Sequence, residues 1–322
     1  MPRYSLHLPD SESLSFVLSK VLNENGFVEG NIKVLDRQPN IYSSTYPSEV
    51  VTCLLPNGHT LQIFCKYGSL EYFDPRGDIY YEAIVYRNIL QPLPVSSPVF
   101  YGFHAGEKES GKWLFLEYID RAIRVSKAEG ADPMIQAASW IGRFHAATEI
   151  NLSHASTAFL VSCDVDHYLG LTRRVLLLTD HLHHRFAWLS RICEQFDRMA
   201  TLLVPNKRTV IHGEYYPKNI LYQEGVVRPV DWQTAAIAAG EIDLASLTHN
   251  WPAEIVYECE REYQRTRWPE HGNEDFRQVL GVARLYILIR HLGSHEEWKR
   301  GHRYMPWYFE KLKNEGERLG LL

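Results

Sequence analysis

TVIHGEYYPKNILYQEGVVRPVDWQ, residues 209–233, sets two short apolar runs on either side of a polar loop, then a turn at Gly225 and a third run. The pattern predicts strand, loop, strand, turn, strand. The loop carries His212, Gly213 and Glu214, with Asn219 a few residues on, and Asp231 follows soon after the predicted hairpin. A carboxylate and an amide on one loop, with a second carboxylate across a short turn, supply hard oxygen atoms for a divalent cation and a group able to orient a hydroxyl. Taken alone, Asn219 and Asp231 fit equally well as a turn asparagine and a strand-end aspartate satisfied by local backbone bonds. What surrounds them decides between the two.

Upstream, IKVLD (32–36), EVVTCLLP (49–56) and TLQIFCKYG (60–68) are short apolar or β-branched runs, the last two joined through Asn57-Gly58, a hairpin signal. After a polar turn at Asp74–Gly77, DIYYEAIVYRNIL spaces Ile79, Ala83, Tyr86 and Leu90 as on a helix, with Asp78 as its N-cap. VFYGFH (99–104) and KWLFLEYI (112–119) read as two more strands. Five strands with one inserted helix thus account for residues 30 to 120. From Arg121 onward the pattern is helical, with Asp132-Pro133 opening one helix and others expected within 168–203, 274–291 and 295–315. The fold class is α+β: a β-rich lobe over 1–120 and a mainly helical lobe over 121–322. No internal repeat, low-complexity tract or Ser/Gly linker separates them, which predicts closely packed lobes.

The chain has 322 residues, 45% of them hydrophobic, enough for a substantial core. Lys and Arg total 34 against 39 Asp and Glu, a net charge of -5, so no overall positive field favours nucleic acid or an anionic membrane as a partner. Residues 1–120 hold 9 basic and 14 acidic side chains, while the remainder holds 25 of each. Five scattered cysteines without a CxxC pair suggest neither a disulfide scaffold nor a thiolate zinc site. With no signal-peptide pattern at the start and no long apolar run, a cytoplasmic location is expected.

HGEYYPKN followed by VDW resembles the catalytic loop and metal-binding strand of the aminoglycoside phosphotransferase and choline kinase superfamily, whose loop usually reads HGDxxxxN. Further landmarks occur in the family's order between about residues 30 and 250. Lys66 ends the third strand as the phosphate-pairing lysine does, and Glu82 lies on the next helix where its ion-pair partner belongs. Leu116–Ile119 looks like the hinge, where the backbone C=O of Glu117 and N–H of Ile119 would read an adenine edge. GEIDLASL resembles the segment whose aspartate, here Asp243, ties down the catalytic loop. The resemblance implies a bilobal protein-kinase-like fold with ATP between the lobes. It also implies Mg²⁺ held by Asn219 and Asp231, Glu214 as catalytic carboxylate, and transfer of the γ-phosphate to a hydroxyl of a small-molecule acceptor. Only about a dozen residues separate Asp231 from Asp243, too few for the activation segment of a protein-directed kinase.

Two features depart from the family pattern. The base position holds Glu214 in place of Asp, and RQPNIYSSTYPSE, between the first two strands, has no glycine where nucleotide-binding kinases carry a Gly-rich flap. Ser43 and Ser44, with Thr45, are the candidates to meet the phosphates there. These departures motivate a second reading, a catalytically inactive nucleotide-binding module. Asp78 competes with Glu82 for Lys66, although its capping position favours Glu82. His212 is expected to brace the loop, and His145 to pack in the core. His181, His183 and His184 diverge on a helix rather than converge on a metal, and the aromatic stretch 298–312 reads as an amphipathic terminal helix before it reads as a substrate wall.

Overall fold

The computed structural model describes residues 8–42, 46–68, 78–106, 111–151, 154–182, 184–204, 209–270, 272–294 and 305–322. They form two compact units, Met1–Ile123 with Leu221–Thr234, and Arg124–Ile220 with Ala235–Leu322. A single division near residue 120 was expected, and the return of 221–234 to the first unit departs from it.

The first unit contains α1 (Ser11–Glu24), β1 (Lys33–Pro39), β2 (Ser48–Leu54), β3 (Thr60–Gly68), α2 (Ile79–Val85, continued as a π-helical turn over Tyr86–Leu90), β4 (Phe100–Ala105) and β5 (Lys112–Glu117). Its five strands pair antiparallel in the order β1-β2-β3-β5-β4. The helix α1 has no counterpart in the sequence reading, although Leu14, Val17, Leu18, Val21 and Leu22 recur at helical spacing and Asp10 caps it by accepting from the Ser13 N–H at 2.8 Å. A 14-residue helix is marginal in isolation. Burying those five side chains, at roughly 1.5–3 kcal/mol for each large aliphatic one, is what holds it. They pack on Val51, Cys53, Ile63, Cys65, Tyr67, Trp113 and Phe115. Successive side chains of a strand alternate between faces, so Lys66, between Cys65 and Tyr67, emerges on the face away from α1. Close contact with α1 also explains Gly102, at a bulge in β4 with φ +147, where a Cβ would lie 2.3 Å from a Val21 methyl.

The β2–β3 hairpin forms as expected, but its loop bends at Gly58 alone (φ +83), with Asn57 accepting from the His59 N–H at 3.0 Å, so it is not a two-residue Asn-Gly turn. The returning segment carries a tighter hairpin, Ile220–Gln223 with Val226–Pro229, turned through Glu224 (φ 50) and Gly225 (φ 80). It is tied to the rest of the unit by Ser96 Oγ donating to the Val227 carbonyl and Gln223 Nε2 donating to the Asp120 carbonyl, both at 2.7 Å.

The second unit is mainly helical. Its longest helix, α3 (Asp132–Asn151), packs against Ala253–Arg267, while Phe276–Ser294 packs against Val165–Thr179, Glu241–Thr248 and Met305–Arg318. Short strands Val161–Ser162, Ala236–Ala238 and Thr209–Ile211 make a three-stranded sheet that leads into the polar loop. The helix expected within 168–203 is two helices, Val165–Thr179 and Trp188–Met199. Glu241–Thr248 and Ala253–Arg267 were not foreseen; every residue of the first is buried, so it carries no amphipathic period to read. No helix among the described residues is long and apolar enough to cross a membrane.

Candidate active site

In the first unit the Lys66 ammonium donates to Glu82 Oε2 at 2.7 Å and to Asp231 Oδ1 at 2.8 Å. Each partner arrives from a different element: Lys66 near the end of β3, Glu82 on α2, and Asp231 on the returning segment. The other carboxylate oxygen of Glu82 accepts the Trp232 N–H at 3.1 Å, so one buried side chain fixes both the lysine and the backbone beside Asp231. Burial pulls the Lys66 ammonium toward neutrality, but Glu82 and Asp231 outweigh it and hold the group above its usual range. Burial pushes the Glu82 carboxyl up, Lys66 pulls it back, and repulsion from Asp231 adds to the rise. With bonds this short and the lysine held charged, the contact is an ion pair. Asp231 sits in the left-handed region at φ 71, which costs a non-glycine residue about 1–2 kcal/mol. The Lys66 contact and the complete burial of neighbouring Trp232 offset that strain and keep the carboxylate turned to the lysine.

The competitor Asp78 caps α2, accepting from the Tyr80 N–H at 3.0 Å, and pairs with Lys112 at 2.5 Å. It is therefore engaged elsewhere. Glu117 ends β5, its carboxylate accepting the Val99 N–H at 3.0 Å, and Ile119 is buried two residues on. Ser43 and Ser44 lie outside the described residues.

In the second unit the loop after Thr209–Ile211 hangs on one carboxylate. Asp243, completely buried in the first turn of Glu241–Thr248, accepts the His212 N–H at 2.6 Å with one oxygen and the Gly213 N–H at 2.9 Å with the other. Gly213 has φ 81, so the chain can bend there without Cβ strain and bring both N–H groups to Asp243. Behind Asp243, His145 Nε2 lies 3.3 Å from its carboxylate and His145 Nδ1 lies 3.0 Å from the Tyr263 hydroxyl. Burial drives the His145 imidazole down to about 4 despite the hydrogen bond to Asp243, with Arg267 adding to the fall. The ring is thus neutral, and these partners assign the proton to Nε2. Arg267 closes the network, donating to the Tyr263 hydroxyl and to Glu149. A Cβ at Gly240 would meet three members of it, with Arg267 Nη1 at 1.9 Å, His145 Nδ1 at 2.5 Å and the Tyr263 hydroxyl at 2.8 Å.

His212 is fully buried, its Nδ1 accepting the Glu214 N–H at 3.3 Å, which is a bracing role. Asn219 donates from Nδ2 to the Glu214 carbonyl at 3.0 Å, which commits the nitrogen and leaves Oδ1 as the ligand atom to offer. The Glu214 side chain reaches Arg290 on Phe276–Ser294: Nη2 donates to Oε1 at 2.9 Å, and Nη1 donates to the Gly213 carbonyl. Arg290 was not singled out from the sequence, where it lies 76 residues from Glu214 with no local signal. The longer Glu214 side chain is thus held by a forked contact to its own loop. Among the described residues no cluster of three or more His, Cys, Asp or Glu side chains could hold a metal ion. The Asp231 carboxylate in the first unit and Asn219 Oδ1 in the second are each hard oxygen atoms of the type Mg²⁺ takes.

Residues 74–278 match the model of the phosphotransferase enzyme family, and the chain belongs to that family. Solved structures share the fold. Choline kinase from Cryptosporidium parvum superposes with a TM-score of 0.63 at 12% identity, covering 97% of this chain and 98% of its own. Macrolide 2'-phosphotransferase from Brachybacterium faecium gives 0.57 at 14%, covering 92% and 97%. Spectinomycin phosphotransferase, in complex with ADP and spectinomycin, gives 0.59 at 11%, covering 96% and 95%. No curated protein matches the sequence.

Removing Lys66 strands a buried glutamate, so Lys66→Met should lower unfolding free energy by about 3–5 kcal/mol, and Glu82→Gln in the same chain should restore much of it. Urea unfolding of both variants checks this. His145 gives a pH signature. Its folded value, about 4, lies below the unfolded 6.5, so the unfolded chain binds the extra proton; the stability is complete above pH 6.5 and is lost as pH falls toward 4. Between pH 7 and 5 the wild type should lose about 2 kcal/mol more than His145→Gln in parallel urea titrations.

Proposed function

We propose that the chain transfers the γ-phosphate of ATP, with Mg²⁺, to a hydroxyl group of a small molecule. The observation that carries this reading is the Lys66 ammonium held by Glu82 and Asp231 at 2.7 and 2.8 Å, an arrangement suited to gripping the α- and β-phosphates. A buried lysine needing one counter-ion would be satisfied by Glu82, and the second carboxylate, on a strained backbone, is what a cation-dependent site calls for.

In this reading Lys66, braced by Glu82, orients the phosphates, and the backbone at Glu117 and Ile119 meets the adenine edge. Asp231 and the Asn219 side-chain oxygen would hold Mg²⁺, which would supply positive charge to the phosphate oxygens. Glu214 accepts a hydrogen bond from the acceptor hydroxyl. As the bond from that oxygen to the γ-phosphorus forms and the bond to the β-phosphate bridging oxygen breaks, the hydroxyl proton passes late to Glu214, and ADP departs. Arg290 supports an active Glu214 over the non-catalytic alternative, because it fixes the longer side chain against its own loop. A loose transition state asks the carboxylate mainly to position the hydroxyl, which tolerates a displacement of about one bond if the group is held.

The test offers the protein ATP, Mg²⁺ and a panel of small alcohols and measures ADP. With an accepted alcohol, Glu214→Gln should lower kcat by on the order of 10²-fold or more and leave ATP affinity nearly unchanged. Wild-type turnover by Glu214→Gln would remove it from the base role, and no ADP with any alcohol would favour the binding-only module.

A further inference from the structure

Immediately past Glu214 the same loop becomes the wall of a pocket. An open depression of about 290 Å³ within the second unit is lined by Ser126, Tyr216, Lys218, His249, Trp251 and His291, among others. Among the described residues that line it there is no carboxylate. Glu214, two residues before Tyr216, is engaged by Arg290 at 2.9 Å. The cation in the lining, Lys218, sits over the Tyr216 ring at 5.6 Å.

The remaining surface is flat and aromatic. His249 and His291 stack with centroids 6.2 Å apart and planes at 14°, and Tyr216 meets His291 edge-on at 6.0 Å. Tyr308 stacks behind His291 at 5.4 Å, and Trp307 stands edge-on to His249 at 6.1 Å. Burial, the neighbouring His291 and Lys311 drive His249 down to about 4, so its ring is uncharged at neutral pH and offers a face rather than a charge. Stacking on such faces contributes about 0.5–1.5 kcal/mol per ring beyond area burial. The volume lies just below the roughly 300–1,000 Å³ range of ligand pockets and suits a single ring. Among the described lining residues an amine meets the Lys218 ammonium and no carboxylate, and nearby Glu214 is already paired with Arg290, whereas a carboxylate meets Lys218.

We propose that this pocket is the acceptor site and that it selects a hydroxyl compound with one aromatic ring and a carboxylate, and rejects amines. The proposal rests on the phosphotransferase reading for the word acceptor, but the selectivity can be measured without ATP. Three probes share one skeleton: 3-phenyllactate, phenylalaninol and 3-phenylpropane-1,2-diol, which carry a carboxylate, an amine and neither. By calorimetry the acid should bind at least about tenfold more tightly than the amine, a difference of about 1.4 kcal/mol. Lys218→Met should weaken the acid at least about fivefold and leave the diol unchanged, and His291→Ala should weaken acid and diol alike. An amine bound as tightly as the acid, no binding of the acid, or an acid affinity indifferent to Lys218→Met would overturn the proposal. Adding ATP and Mg²⁺ separates the two readings. Acid that binds selectively but yields no ADP upholds the pocket's selectivity while refuting the site as an acceptor site, and ADP formed only with the amine refutes the selectivity while leaving phosphoryl transfer standing.

Discussion

A buried ammonium must be paired, and in this chain the pairing of Lys66 organises the first unit. Strand alternation turns Lys66 away from the apolar layer under α1, and Glu82 on α2 meets it at 2.7 Å. Glu82 alone would balance the charge. The second contact, to Asp231, draws in a segment more than a hundred residues farther along and holds it on a left-handed backbone. The Lys66 contact and the burial of neighbouring Trp232 hold the aspartate in that conformation against its strain. In the proposed function the same atoms serve structure and chemistry.

The second unit applies the same device to a loop. Asp243 takes two consecutive backbone N–H groups, at His212 and Gly213, and is itself backed by neutral His145, Tyr263 and Arg267. The loop therefore does not rely on its own short sequence for shape. Glu214 follows directly, and Arg290 completes its restraint from a helix. The forked arginine contact holds the Glu214 carboxylate and the Gly213 carbonyl together.

What could be read from sequence was what is written locally. The β2–β3 hairpin and the capped helix after Asp78 follow from short patterns, whereas the pairing of Lys66 with Glu82 follows from the family resemblance. The fold class follows from the change of period near residue 120. Glu241–Thr248 was missed because full burial erases the helical stripe. The helix α1 was missed although its stripe is present in Leu14, Val17, Leu18, Val21 and Leu22. Arg290 and the return of 221–234 to the first unit depend on pairings between distant parts of the chain, and no local pattern encodes them.

In the proposed function Asp231, although paired with Lys66 here, is kept for a divalent cation brought with the nucleotide. Titration calorimetry of ADP into wild-type protein and Asp231→Asn, each with and without Mg²⁺, tests it directly. The amide keeps the shape but supplies no charge to the ion. Mg²⁺ should tighten ADP binding to the wild type by about tenfold or more, worth about 1.4 kcal/mol per decade, and should do little for Asp231→Asn. Equal Mg²⁺ enhancement in both proteins would contradict the claim.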